Sequence, residues 1–210
     1  QLLALERAGV PVEARIETGQ TLITRRALLY GELDGYIEYT GTALVNFMGE
    51  ADQKKLTNPE AGWQQIRSWD SATNSVSCLE PVAVINNTYT VLIRRELAES
   101  FELKSISDLQ AHLEGGNKLT FGVDPEFAAR PDGLAGLLGA YNIEHENLST
   151  RQMDAGLVYQ SLSQKGIDIA IGYATDGRIA ANNLLRLNDD LQYFPVYNPA
   201  PTFRNDVLTA

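Results

Sequence analysis

Apolar and polar positions switch between two periods along the chain, and the switches mark out its elements. Residues 1–9 carry the spacing of an amphipathic helix that ends in a glycine stop, so the chain is expected to begin inside a longer element. Over 11–18 the pattern alternates, with Val12, Ala14 and Ile16 opposite Glu13, Arg15 and Glu17, and predicts a strand. Residues 21–30 return to helical spacing and stop at Gly31. A short strand is predicted over 33–39, then helices over 42–48 and 59–69, the second with Pro59 at its first position. Residues 81–93 form a long run rich in Val, Ile, Thr and Tyr and read as strand. Ser107 is expected to cap a helix through Leu113, closed by Gly115-Gly116. Strands over 119–123 and 167–171 and helices over 134–141, 155–164 and 178–183 complete the series. Strands alternate with helices throughout, which predicts an α/β fold with mostly parallel pairing.

One internal similarity bears on organisation. Gly31-Glu32-Leu33-Asp34 precedes Tyr39, and Gly166-Ile167-Asp168 precedes Tyr173, with the same Asp-to-Tyr spacing. Thr40 and Thr175 follow within two residues. Two readings stand: a pair of equivalent lobes, or the common grammar of βα units in one domain. In the first, ligands bind beyond the carboxyl ends of strands, where Tyr39 and Tyr173 fall.

Composition narrows the function. The 210 residues carry 17 Lys and Arg against 27 Asp and Glu, a net charge of −10. That argues against nucleic acid or an anionic membrane surface as the main partner. Hydrophobic residues are 44%, enough for a real core, and no apolar run is long enough to span a bilayer. The single cysteine, Cys78, excludes an internal disulfide and a cysteine-rich zinc site, and two histidines are too few for a histidine-rich centre. No nucleophile elbow, Walker loop, dinucleotide fingerprint or zinc-protease motif occurs. Cys78 has no basic neighbour to activate it and reads as buried filler, and His112 and His145 read as surface residues. Asn86-Asn87-Thr88 and Asn147-Leu148-Ser149 match the glycosylation pattern, which is too short to carry weight.

The nine tyrosines are more informative. Tyr39, Tyr89, Tyr173 and Tyr197 all fall where a strand or loop turns. Each alone reads as a packing residue; together they suggest a shared aromatic pocket.

A resemblance then becomes specific. The run from Gly31 to Thr42 resembles the signature of the quaternary-ammonium substrate-binding proteins of osmoprotectant ABC importers, which serve uptake of glycine betaine, choline and carnitine. Asn86-Asn87-Thr88-Tyr89, Asp124-Pro125-Glu126-Phe127-Ala128-Ala129-Arg130 with Asp132-Gly133, and Met153-Asp154-Ala155-Gly156 follow in the family order. So do Thr175-Asp176-Gly177-Arg178 and Phe194-Pro195-Val196-Tyr197 with Ala200-Pro201. Gly35 and Ile37 depart from the bulkier residue and the proline often found in the signature. The first strand and the C-terminal helices of the family are expected to lie outside this stretch.

The resemblance implies a two-lobed class II periplasmic-binding-protein fold with the ligand in the inter-lobe cleft. It implies lobe 1 over 1–87 plus 197–210, lobe 2 over 88–196, and no enzymatic activity. Carried over by motif, Tyr39, Tyr89, Tyr173 and Tyr197 form a box for the trimethylammonium group, with Asn87 adding a contact. Arg130 and Thr42 would hold a ligand carboxylate. Arg130 has a rival reading as a solvated loop residue, and Thr42 as a helix N-cap. The implied partners are a small quaternary ammonium ligand and an ABC permease subunit, with no cofactor, no metal and no nucleic acid. The implied location is periplasmic or extracellular, with a lipid anchor or a fused permease left open. Three alternatives are kept: another betaine such as ergothioneine, a sensory ectodomain using the same cleft, and an enzyme on the same fold.

Overall fold

The computed structural model describes residues 2–15, 19–82 and 84–208. The chain forms two units. Unit 1 comprises Gln1–Glu50, Asn58–Ile85 and Tyr197–Ala210; unit 2 comprises Ala51–Thr57 and Asn86–Val196.

Unit 1 holds a three-stranded sheet in the order β1-β8-β2, with β1 over Gly35–Tyr39, β2 over Val76–Cys78 and β8 over Pro199–Arg204. Both pairings are antiparallel. The helix Thr21–Leu29 buries Arg25, Ala27 and Leu28, and the helix Pro59–Asn74 buries Trp63, Ile66 and Asp70. Asn58 caps the second helix by accepting from the Ala61 N–H at 3.1 Å, and Pro59 takes the first turn, where its missing donor costs nothing.

Sequence expectation and structure part company in unit 1 at three places. Residues 11–15 form no strand, and 16–18 lie outside the described residues. The run over 81–93 yields a strand only from Tyr89, because the chain beyond Cys78 lies beside two prolines. The Leu79 N–H donates to the Pro201 carbonyl at 2.9 Å and the Val82 N–H to the Pro199 carbonyl at 3.0 Å. Neither proline has an N–H to return, so the ladder ends at Cys78. Thr42 is not an N-cap. The helical turn Thr40–Thr42 already starts after Tyr39 and passes into a π-turn over Ala43–Phe47.

Gly35 accounts for its own departure from the family signature. It sits directly opposite Phe203, and a Cβ there would lie 2.2 Å from Phe203 Cδ1 and 2.9 Å from the Thr202 carbonyl. Gly35→Ala is therefore expected to lower stability by about 1–3 kcal/mol through overpacking. A urea midpoint that falls at constant m-value would report it, and an unchanged midpoint would show that Phe203 swings aside freely.

Unit 2 holds five strands in the order β5-β4-β6-β3-β7. They are β3 Tyr89–Arg94, β4 Leu119–Val123, β5 Leu148–Gln152, β6 Ile169–Tyr173 and β7 Leu184–Arg186. β4 runs parallel to β5 and β6, while β3 is antiparallel to β6 and β7. The expectation of mostly parallel pairing is thus corrected: four of the six strand pairs among the described residues are antiparallel. The reason is that β8 and β3 each run against both of their neighbours, while β4 alone pairs in parallel, with β5 and β6. One cap is also displaced. Ser105, not Ser107, begins the helix Ile106–Glu114, in a reciprocal box with Asp108. The Ser107 N–H instead reaches Asp190 at 3.3 Å. The core of unit 2 is built from Leu92, Val158, Tyr159, Leu162, Ile167 and Ala170, with Phe121 and Phe127 fully buried.

Candidate ligand site

The antiparallel pairing of β3 and β6 brings together two residues 84 positions apart in sequence. Tyr89 opens β3 and Tyr173 closes β6, so they face each other in register. Their ring centroids lie 5.1 Å apart with planes at 31°. Phe127 packs on Tyr89 at 4.9 Å and Phe194 at 6.2 Å. Tyr89 is 5% exposed, whereas Tyr173 is half-buried, so Tyr173 offers the more open surface of the pair. Burial raises the Tyr173 phenol, which stays protonated.

Short local devices hold these rings. Asp124 accepts from the Phe127 N–H at 3.0 Å and caps the helix Pro125–Ala129, which turns Phe127 inward. Asp189 accepts from the Tyr193 and Phe194 N–H groups, both at 2.9 Å, and from the Tyr141 hydroxyl at 2.5 Å. Behind Tyr173, the Tyr159 hydroxyl accepts the Tyr173 N–H at 2.9 Å. Gly172 leaves the room for it, since a Cβ there would lie 2.8 Å from that oxygen. Arg178 lies over the Tyr159 ring at 3.9 Å and grips Asp176. The Thr175-Asp176-Gly177-Arg178 motif therefore braces the end of β6. Asn87 joins the same end, accepting from the Thr175 hydroxyl.

Arg130 is 7% exposed, which removes its reading as a solvated loop residue. Its Nε and Nη2 donate to the two oxygens of Asp132 at 2.8 and 2.7 Å, and Nη1 lies 3.8 Å from Glu126. Its guanidinium carbon stands 5.4 Å from the Tyr89 ring centre. Arg130 thus joins Tyr89 and Tyr173 in one cluster, with Asp132 as a counter-ion inside it.

Unit 1 carries the other three candidates. Tyr39 closes β1 at the corner where the helical turn begins, opposite Pro199. The corner is stitched to the neighbouring chain by the Thr40 N–H on the Asn198 carbonyl and the Asn198 N–H on the Thr40 hydroxyl, each at 3.1 Å. Tyr197 and Thr42 are buried, at 3% and 7% exposure. A π-turn directly after Thr42 is the kind of irregularity that recurs at functional sites. Asp132, Phe127, Phe194 and Tyr159 are the residues that sequence reasoning did not place. The first three stood inside quoted motifs, but nothing in their spacing gave them a role.

Cys78 is buried and its thiol is pushed up to about 11 by burial, so it is not an activated nucleophile. Among the described residues no group of His, Cys, Asp and Glu could hold a metal ion, and no helix is long and apolar enough to cross a membrane.

Two units, each built on its own sheet, and the likeness to solved structures at 28–33% identity place the chain in the class of periplasmic binding-protein folds. Residues 2–210 match the OpuAC family, the substrate binding domain of ABC-type glycine betaine transport systems, and the chain belongs to it. It is 38% identical over 210 residues to the glycine-betaine-binding protein of Pseudomonas aeruginosa strain PAO1, covering 97% of this chain and 66% of that protein. It is 34% identical over 212 residues to the glycine betaine-binding protein YehZ of Escherichia coli K12, covering 99% and 69%. The solved structure of apo YehZ from Escherichia coli superposes with a TM-score of 0.68 at 33% identity, over 99% of this chain and 75% of that one. The chain thus spans about two thirds of the length of these curated relatives. The family is one of substrate binding in transport rather than catalysis, and the substrate-binding proteins of ABC importers act outside the cytoplasm.

Proposed function

We propose that the chain is the ligand-binding part of an ABC importer component that takes a quaternary ammonium compound such as glycine betaine, choline or carnitine and delivers it to a permease subunit. The observation that carries this reading is the cross-strand pair Tyr89–Tyr173, backed by Phe127 and flanked by Arg130. A quaternary ammonium has no N–H, so acceptors cannot fix it directionally. Aromatic faces supply negative quadrupole and apolar contact together, about 0.5–2 kcal/mol per ring in a desolvated site. Tyr173 and Tyr89 of unit 2 and Tyr39 and Tyr197 of unit 1 are the proposed rings. Asn87 is proposed to hold the Tyr173 end in place, and Arg130 and Thr42 to read a ligand carboxylate.

Calorimetry with glycine betaine, choline, carnitine, ergothioneine and proline tests the reading. Binding of trimethylammonium compounds and not of proline supports it; binding of none of them by the folded protein overturns it. A sharper expectation concerns Tyr173. Tyr173→Leu is expected to weaken binding by roughly 1–2 kcal/mol, about 5–30-fold, while Tyr173→Phe costs far less. Both keep an apolar body, and only Leu loses the ring. Equal affinities for the two variants would make Tyr173 a packing residue.

A further inference from the structure

We propose that Glu38 is the positioning residue for Tyr39: its buried carboxylate fixes the corner where β1 becomes the helical turn, and with it the direction of the Tyr39 ring. The role rests on the functional reading above. The geometry is local to unit 1. Among the described residues β1 is paired on one side, by β8. Backbone N–H groups alternate in direction along a strand. The Thr40 N–H points to Asn198, so that of Tyr39 points away from β8. There the Glu38 carboxylate takes it, with the Tyr39 nitrogen 2.7 Å from Oε1. The second oxygen accepts from the Tyr36 hydroxyl. Tyr39 is still extended, at φ −108° and ψ 130°, and the next residue is helical, so this bond sits at the turning point.

The Glu38 carboxyl is kept out of water among hydrogen-bond donors and charged groups. Glu38 is 3% exposed. Facing it are Tyr36 on its own strand, Arg25 from the helix Thr21–Leu29, Asp70 from the helix Pro59–Asn74, and Cys78 from β2. Burial pushes the Glu38 carboxyl up to about 7; the Tyr36 hydroxyl, the Tyr39 N–H and Arg25 pull it down, and Asp70 pushes it up. The two consequences of acidification have opposite signs. The folded state holds a proton between pH 4.5 and 7 that the unfolded chain does not, so this group adds stability as the pH falls through that window. The same proton turns a charge-assisted acceptor into a neutral one, which loosens the hold on Tyr39.

Choline serves as the probe, because it has no group that titrates between pH 5.5 and 8.5. Wild-type affinity is expected to fall roughly 3–10-fold from pH 8.5 to 5.5. Glu38→Gln is expected to show a flat profile near the acid value. Tyr36→Phe removes a bond that lowers the Glu38 carboxyl, so its midpoint is expected to move to higher pH. A merely structural role would not move that midpoint. Amide exchange at Tyr39 in the ligand-free protein gives a second readout, slow in wild type and faster in Glu38→Gln. The same pH profile in wild type and Glu38→Gln, with unchanged Tyr39 exchange, overturns the proposal while leaving the functional reading intact. Failure of the wild type to bind any quaternary ammonium compound at either pH overturns the reading and the role together.

Discussion

Arg25→Met is expected to lower the free energy of unfolding by about 3–5 kcal/mol, the largest stability effect in unit 1. Arg25 and Asp70 are 5% and 1% exposed and form a two-bond ion pair, with the Nη1 contact at 3.2 Å. The guanidinium carbon also lies 4.9 Å from the Phe47 ring centre and 5.8 Å from that of Trp69. The Met side chain replaces the aliphatic stem, so packing changes little, but the Asp70 charge loses its counter-ion in a site that water does not reach. The Asn74 amide, 2.9 Å from Asp70, cannot replace a cation. Taking both charges away should undo most of the damage, because a buried pair gains little over well-packed apolar residues. Urea unfolding of Arg25→Met and of Arg25→Met/Asp70→Leu checks both statements. A single-variant loss below about 1 kcal/mol would show that the pair is worth no more than a surface ion pair.

How much of this was legible in the sequence depends on the range of the interaction. Elements set by local signals were readable: the strand Leu119–Val123, the helix Thr21–Leu29 and the proline start of Pro59–Asn74 follow from periodicity and capping. β8 was not, because Pro199 and Pro201 argue against a strand on any local scale. It forms since the carbonyls of Pro201 and Pro199 accept from the Leu79 and Val82 N–H groups on one side while residues 199–203 pair in register with β1 on the other. The same holds for the site. The tyrosines announced themselves by standing at element ends, and the resemblance gave them a common purpose. That Tyr89 faces Tyr173 follows from antiparallel pairing, which the alternation of strands and helices argued against. The Asp132 counter-ion and the Tyr159 brace arise from contacts that no spacing rule encodes. The Glu38 clamp has a local span, yet its meaning depends on burial and on the charges of Arg25 and Asp70, brought in from elsewhere in the chain.

Arg130→Met is expected to separate carboxylated from uncharged-tail ligands. Glycine betaine and choline share the cationic head and differ in the tail, a carboxylate against a hydroxyl. If Arg130 reads the carboxylate, the variant loses a charge-assisted bond, roughly 1.5–3 kcal/mol or about 10–150-fold in affinity for glycine betaine. Choline should lose much less, and can gain, because a cation no longer stands near its own. The structure adds a complication that the sequence did not show. Asp132 already engages Nε and Nη2 of Arg130, and both residues are buried, so Arg130→Met also leaves a carboxylate without its partner. That cost falls on both ligands alike through the stability of unit 2. The ratio of the two affinities cancels it, and Arg130→Met/Asp132→Asn removes the stranded charge altogether. The betaine-to-choline ratio should drop by the same factor in the single and double variants. A ratio that stays at the wild-type value in both would mean that Arg130 serves the Asp132 pair and the Tyr89 ring and does not touch the ligand's tail.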